Sequence, residues 1–227
     1  MKALTISACG FSMLLAGASE ASLVSGTVDP FTVAASASNG TTSNTYTQDA
    51  SSTVTGGLWT SRAIGAAVSN ASNSSSQAAV SAGSFVFSTT PVTSTNSSQR
   101  ARVTYSSTGA GPDFTNFTSL SFDYNSTFVF GVRVWIAGMT PSAAGNFLQL
   151  QNQAAGSGTL TFTAAQFAIP SGSLGNVSGM YVEFFRMNTN TSGSLTMTNL
   201  VANGVPAPGA IALLGAAGLI GGTRRRR

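Results

Sequence analysis

Between an apolar leader and a basic tail, the chain reads as one all-β domain over residues 22–204, an antiparallel β-sandwich or barrel. Three observations predict it. Apolar residues alternate with polar ones instead of recurring at helical spacing, the alternating runs are short, and Gly, Asn, Ser or Pro bounds each of them. Disorder of the usual kind needs low hydrophobicity with high net charge, whereas this chain is 42% hydrophobic and 7% charged.

In chain order, residues 35–52 and 69–79 are Ser/Thr/Asn/Ala-rich stretches of low complexity, expected as long loops or weak edge strands. Strand-like runs follow at 83–88, 102–105 and 120–124. The clearest strand is 128–136, where Phe128, Phe130, Val132, Val134 and Ile136 share one face at period two. That face is core, and Arg133 and Trp135 are left together on the other. Further runs at 147–151, 159–163, 181–187 and 194–201 complete the set. Helix is expected only in the two terminal segments, with a turn near 164–167.

The leader has the layout of a secretory signal peptide: Lys2, an apolar stretch from Ala3 to Ala18, then small residues around Ser19-Glu20-Ala21. It is expected as a signal helix over 1–21, cleaved after Ala21, with Ala18 as the second choice. Cys9 does not read as a lipoprotein cysteine, because the apolar run continues well past it. It is the sole cysteine, so the mature domain has neither disulfides nor a cysteine-ligated metal to lean on.

The tail, 205–227, begins Val205-Pro206-Ala207-Pro208, continues uncharged from Gly209 to Thr223 and ends on Arg224, Arg225, Arg226 and Arg227. As a helix, the run from Gly209 to Gly222 spans roughly 21 Å, and roughly 27 Å with Pro206 to Thr223 included, against a hydrocarbon core of ~30 Å. It is a minimal, short transmembrane helix. Four arginines cross a bilayer at high cost and favour the cytoplasmic side, so the tail would halt export. This order of turn, apolar segment and basic cluster resembles the PEP-CTERM sorting tail of Gram-negative bacteria, with Ala207 where the glutamate usually stands. The resemblance implies processing by an exosortase, transient membrane attachment through the tail, and a final place at the cell surface or in the extracellular matrix.

The formal charge of +4 belongs to the targeting segments. Residues 22–205 hold five arginines (Arg62, Arg100, Arg102, Arg133, Arg186) against Asp29, Asp49, Asp113, Asp123 and Glu183, a net of zero. No nucleic-acid footprint remains. The chain has no histidine, and Lys2 is the one lysine. Ser-His-Asp, Cys-His, Ser-Lys and Schiff-base catalysis are therefore excluded, along with most zinc sites. Asp113 sits in a Gly111-Pro112-Asp113 turn and reads as a loop cap. Catalysis is not expected, and neither a cofactor nor a metal is implied.

From Phe114 to Gly204 the sequence is similar to the galactose-binding-like jelly-roll superfamily of carbohydrate-binding modules and related exopolysaccharide proteins. The segments that carry the likeness are Phe114-Thr115-Asn116-Phe117-Thr118-Ser119-Leu120-Ser121-Phe122-Asp123, the Trp135 strand, Gly158-Thr159-Leu160-Thr161-Phe162, the run from Val177 to Phe185, and the closing Ser194-Leu195-Thr196-Met197-Thr198-Asn199-Leu200. Upstream, Gly56-Gly57-Leu58-Trp59-Thr60-Ser61-Arg62 resembles the turn that opens such domains. The resemblance implies a jelly-roll-like sandwich and glycan as the partner class.

Candidate glycan-binding residues are Trp135 and Arg133, which share a face by spacing, with Asp123, which lies opposite the inward Phe122 and Tyr124, and Glu183 from another strand. A ring beside a guanidinium and carboxylates suits a sugar, whose C–H groups pack on the ring while its hydroxyls take hydrogen bonds. The same residues fit a bland alternative in which loops cover Trp135 and Arg133 simply pairs with Asp123 or Glu183. The functional expectation is a non-catalytic, exported protein that associates with exopolysaccharide or other glycans. A purely structural or adhesive matrix protein is the alternative, and a secreted hydrolase comes third.

Overall fold

A computed structural model of the chain describes residues 25–39, 46–48, 52–69, 74–91, 97–138, 140–141, 147–168, 174–187 and 191–204. The segments expected to be a signal peptide (1–21) and a sorting tail (205–227), with their two expected helices, lie outside the described residues. Among those described, no helix is long and apolar enough to cross a membrane.

The described residues form sixteen strands, in order: β1 Ser25–Asp29, β2 Ala35–Asn39, β3 Thr47–Gln48, β4 Ser52–Thr53, β5 Ser61–Ser69, β6 Ser76–Ser81, β7 Ser84–Thr89, β8 Ser98–Ser106, β9 Phe117–Ser126, β10 Phe130–Ile136, β11 Thr140–Pro141, β12 Leu148–Gln153, β13 Gly156–Thr163, β14 Phe167–Ala168, β15 Gly179–Met187 and β16 Gly193–Gly204. The turn expected near 164–167 is a short 3-10 helix, Ala164–Gln166. The first sheet runs β13-β9-β16-β7-β6-β2, with β1 also on β16; the second runs β12-β10-β15-β8-β5-β3, with β4 also on β5. Every pairing in both sheets is antiparallel.

The two orders correspond place by place: β13 with β12, β9 with β10, β16 with β15, β7 with β8, β6 with β5, β2 with β3. Each pair is consecutive in the chain. The chain thus repeatedly steps from one sheet to the other, which is the winding of a jelly roll.

The core between the sheets is aromatic. Phe85, Phe87, Phe122, Phe130, Phe162 and Phe184 are buried there with Val132, Val134 and Ile136. Phe122 meets Phe184 edge-on at 5.6 Å between centroids. Burying each such side chain contributes about 1.5 to 3 kcal/mol. A second aromatic group gathers Trp59, Tyr105, Phe114, Phe117 and Phe167, and Trp59 donates its indole N–H to the Val177 carbonyl at 3.3 Å. Trp59 is therefore a core residue.

Two segments differ from expectation. β5 begins where only an opening turn was foreseen, and it occupies an interior place in the second sheet. Its residues Gly65, Ala66, Ala67 and Val68 are all buried, so there is no alternation to read. β6, in a stretch expected as loop or edge, is likewise interior to the first sheet, with Ser76, Ala78 and Val80 turned inward. Small inward residues suit it to the space opposite β5.

One charge pair crosses the core. Arg62 of β5 meets Asp29 of β1 at 2.7 Å, with both side chains 1% exposed. Arg62 also donates to the Val33 carbonyl, and Asp29 accepts from the Phe31 amide at 2.6 Å. Buried charges persist only when paired and hydrogen-bonded in this way.

Candidate functional site

Alternation along β10 turns Val132, Val134 and Ile136 into the core, and leaves Arg133 and Trp135 on the outer face of the second sheet. Strand register then sets their neighbours. Arg133 stands opposite Glu183 of β15 on one side and Gln149 of β12 on the other, and Glu183 stands opposite Arg102 of β8. The result is a row, Gln149, Arg133, Glu183, Arg102. On one flank lies Trp135 beside Tyr181, and on the other Gly131, Phe185 and Arg100. Directly opposed side chains in such rows touch.

Glu183 is the hub. Its Oε1 accepts from Arg133 Nη1 at 2.8 Å, and its Oε2 accepts from Arg102 Nε at 3.1 Å and Nη2 at 2.8 Å. The Tyr46 hydroxyl also donates to Oε2. The carboxylate is 1% exposed, whereas the Arg102 and Arg133 side chains are 28% and 25% exposed. Burial opposes ionisation of Glu183, but hydrogen bonds from Tyr46 and Arg102 and the charges of both arginines outweigh it and hold the carboxyl below its usual range. For Tyr46, burial first and the Glu183 charge next push the phenol well above its usual range.

Each arginine lies between two rings. The Arg102 guanidinium is 4.6 Å from the Tyr181 centroid and 4.1 Å from that of Tyr46. Arg133 is 4.6 Å from Phe185 and 4.8 Å from Phe147. Trp135 stacks on Tyr181 at 5.7 Å and 18°. Because that stack runs across neighbouring strands, the rings stand up from the sheet and present edges to solvent. Gly131 is required here, since a Cβ at that position would overlap the Phe185 ring.

The sequence-derived candidates are thus divided. Trp135, Arg133 and Glu183 share this face, with Trp135 half-buried beside Tyr181. Asp123 is on β9 in the first sheet and does not join them; it accepts from Thr159 Oγ1 at 2.6 Å and Asn199 Nδ2 at 2.7 Å, bonds that hold its carboxyl below the usual range. Sequence reasoning missed Arg102, Tyr181, Gln149, Phe147, Phe185 and Tyr46. A signal existed for some. Arg100 and Arg102 are two apart in an alternating run, as are Tyr181, Glu183 and Phe185, so each set was bound to share a face. Tyr46 lies in a low-complexity stretch with no period to follow.

Several hydrogen-bonding groups on the face have no partner among the described residues: Trp135 Nε1, the Tyr181 hydroxyl and Arg133 Nη2. Asp113, by contrast, is occupied locally, accepting from the Thr115 amide at 2.8 Å. Among the described residues, no three His, Cys, Asp or Glu side chains come together as a metal site would require.

Neither a family model nor a curated protein matches the chain. Among solved structures, the chain is similar to a family 11 carbohydrate-binding module from Clostridium thermocellum in complex with a β-1,3-1,4-mixed-linked tetrasaccharide. The identity is 14% and the TM-score 0.41, over 82% of this chain and 98% of that one. A carbohydrate-binding module specific for non-crystalline cellulose matches at 12% identity and a TM-score of 0.32, over 46% and 67% of the two chains. Tailspike protein 4 of bacteriophage CBA120 matches at 11% identity and 0.34, over 76% of this chain and 19% of that one. Scores of this size say nothing about ligand or activity.

Proposed function

We propose that this protein is a non-catalytic glycan-binding domain, exported and exosortase-processed, that works at the surface or in the extracellular matrix of a Gram-negative-type bacterium. The observation that supports the binding role is the second sheet's outer face, where rigidly held rings stand beside hydrogen-bond donors that have no partner among the described residues. The exposed parts of the rings offer apolar surface to sugar C–H groups, and the donors take sugar oxygens. Hydrolysis of a glycosidic bond needs two carboxyls flanking it. This face holds Glu183 alone among the described residues, buried and with both oxygens occupied.

Replacing Trp135 with alanine tests the role. Retention on the organism's own polysaccharide should weaken by about 1 to 3 kcal/mol, the scale of one aromatic contact. The thermal midpoint should stay within a few degrees, because the ring is half-buried on the outside of the sheet. Unchanged retention by a folded variant would favour the second reading, a structural matrix protein, which the short Ser/Thr side chains on the first sheet's outer face support.

The export half of the proposal rests on the sequence of the two ends. Mass spectrometry of the mature protein should find the C-terminus trimmed upstream of Arg224, and replacing Arg224, Arg225, Arg226 and Arg227 with alanine should leave more unprocessed precursor. An intact C-terminus in the wild type would remove the exosortase reading.

A further inference from the structure

We infer that the ligand of the second sheet's outer face is an acidic glycan, one bearing carboxylates or sulfates; this rests on the glycan-binding reading above and narrows it. Charge is the first reason. Arg102 and Arg133 share the single Glu183, so one positive charge is left over in the row whatever Arg100 contributes beside it. Among the described residues, the other carboxylates are committed elsewhere: Asp29 pairs with Arg62 inside the core, Asp113 holds its own loop, and Asp123 is in the other sheet.

Hydrogen-bond polarity is the second reason. The acceptors of the row are spent, since Glu183 takes four donors and Gln149 Oε1 takes Arg133 Nε at 2.7 Å. What remains outward among the described residues of the row and its flank is two donor-only groups, Arg133 Nη2 and Trp135 Nε1, and the Tyr181 hydroxyl, which donates or accepts. A neutral sugar hydroxyl gives a proton as well as receiving one, and donors outnumber acceptors for it here. A carboxylate or sulfate only accepts, and guanidinium N–H groups are its best partners. Burial, the largest influence on Tyr181, raises its phenol above the usual range, so it stays a donor at neutral pH.

Rigidity is the third. Both guanidiniums are clamped between rings and tied to one buried carboxylate, so little side-chain freedom is left to lose on binding.

The test is affinity electrophoresis of the full chain through gels containing polygalacturonate, dextran sulfate or neutral hydroxyethylcellulose, at about 0.05 M and about 1 M NaCl, a range over which screening shortens several-fold. At low salt the acidic polymers should be retained at least about tenfold more tightly than the neutral one, and high salt should remove most of that difference. Arg133→Gln should cut acidic retention about tenfold, and Tyr181→Phe, which keeps the ring stack and deletes only the hydroxyl, about threefold. Thermal midpoints of both variants separate lost binding from lost folding. Equal, salt-insensitive retention of the neutral polymer that disappears in Trp135→Ala would overturn the acidic specificity and leave the glycan reading intact. Retention of no polymer would sink the glycan reading itself. Acidic retention that survives Arg133→Gln and Tyr181→Phe but disappears when Arg224 to Arg227 are replaced would place binding on the tail and overturn the inference.

Discussion

On the outer face of the first sheet, one cross-strand row reads Ser157, Asn125, Thr196, Val86, Ala79, Ser36. On the outer face of the second, the matching kind of row reads Gln149, Arg133, Glu183, Arg102. Both alternate with an apolar inner face and both belong to antiparallel strands. The difference lies in side-chain length. The short side chains of the first row, half of them hydroxyls, stand where they are and have little to desolvate. Long charged ones on the second sheet fold over their neighbours, and in doing so they bury a carboxylate that then needs every donor around it. Charge on the outside of a sheet can therefore build a second, polar layer of packing, rigid enough to hold donors in fixed positions, while the opposite face of the same sandwich stays a solvated surface.

The hardest test of that contrast removes one carboxylate from each face. Glu183→Gln leaves Arg102 and Arg133 without their counter-charge in a partly covered site, and should cost about 2 to 4 kcal/mol, the cost of breaking a buried pair discounted for the arginines' partial exposure. Asp123→Asn, on a solvated carboxylate that loses only the charge behind its bonds from Thr159 and Asn199, should lower the thermal midpoint far less. Equal midpoints for the two variants would mean that the second face is as solvated as the first.

A smaller effect is expected from Gly131→Ala. The added methyl must displace the Phe185 ring and with it one wall of the Arg133 clamp, at about 1 to 3 kcal/mol, typical of overpacking. Gly158→Ala on the first sheet crowds only the Tyr124 ring, whose hydroxyl end is 2.9 Å from the added position, and should cost less. Urea midpoints at constant slope would rank the two.

The smallest effect is acid dependence. Because the folded carboxyl of Glu183 is held below its unfolded value of about 4.3, the folded state binds its proton later than the unfolded state does. Its contribution to stability is present above that value and fades as pH falls through the folded one. Wild type should therefore lose stability on acidification below about pH 4 more steeply than Glu183→Gln. Parallel curves would show that Glu183 titrates as it does in the unfolded chain.

Much of the fold was legible. The runs at 128–136, 159–163, 181–187 and 194–201 contain strands whose inward faces are apolar, with Val132 and Val134 inward on β10, Phe162 on β13, Val182 and Phe184 on β15 and Leu195 and Met197 on β16, because a half-buried strand writes its burial as period-two alternation. β5 was not legible, since a strand of small residues covered on both faces has no alternation to show. At the site, alternation was enough to put Arg133 and Trp135 on one side. It was equally able to turn Asp123 and Glu183 away from the core, and it could not say which of them faces Arg133.

Sequence by itself determined the local matters: strand against helix, inward against outward, and the absence of histidine and cysteine chemistry from the domain. These depend on a residue's own chemistry and on neighbours two positions away. The partner of Arg133 was decided only by tertiary structure, because it depends on strand order and register. Sheet order placed β15 beside β10 and put β9 in the opposite sheet, and register then brought Glu183 level with both Arg133 and Arg102. Lateral order is a property of how the whole chain is wound, set by which pairings bury the aromatic core. No segment carries it alone.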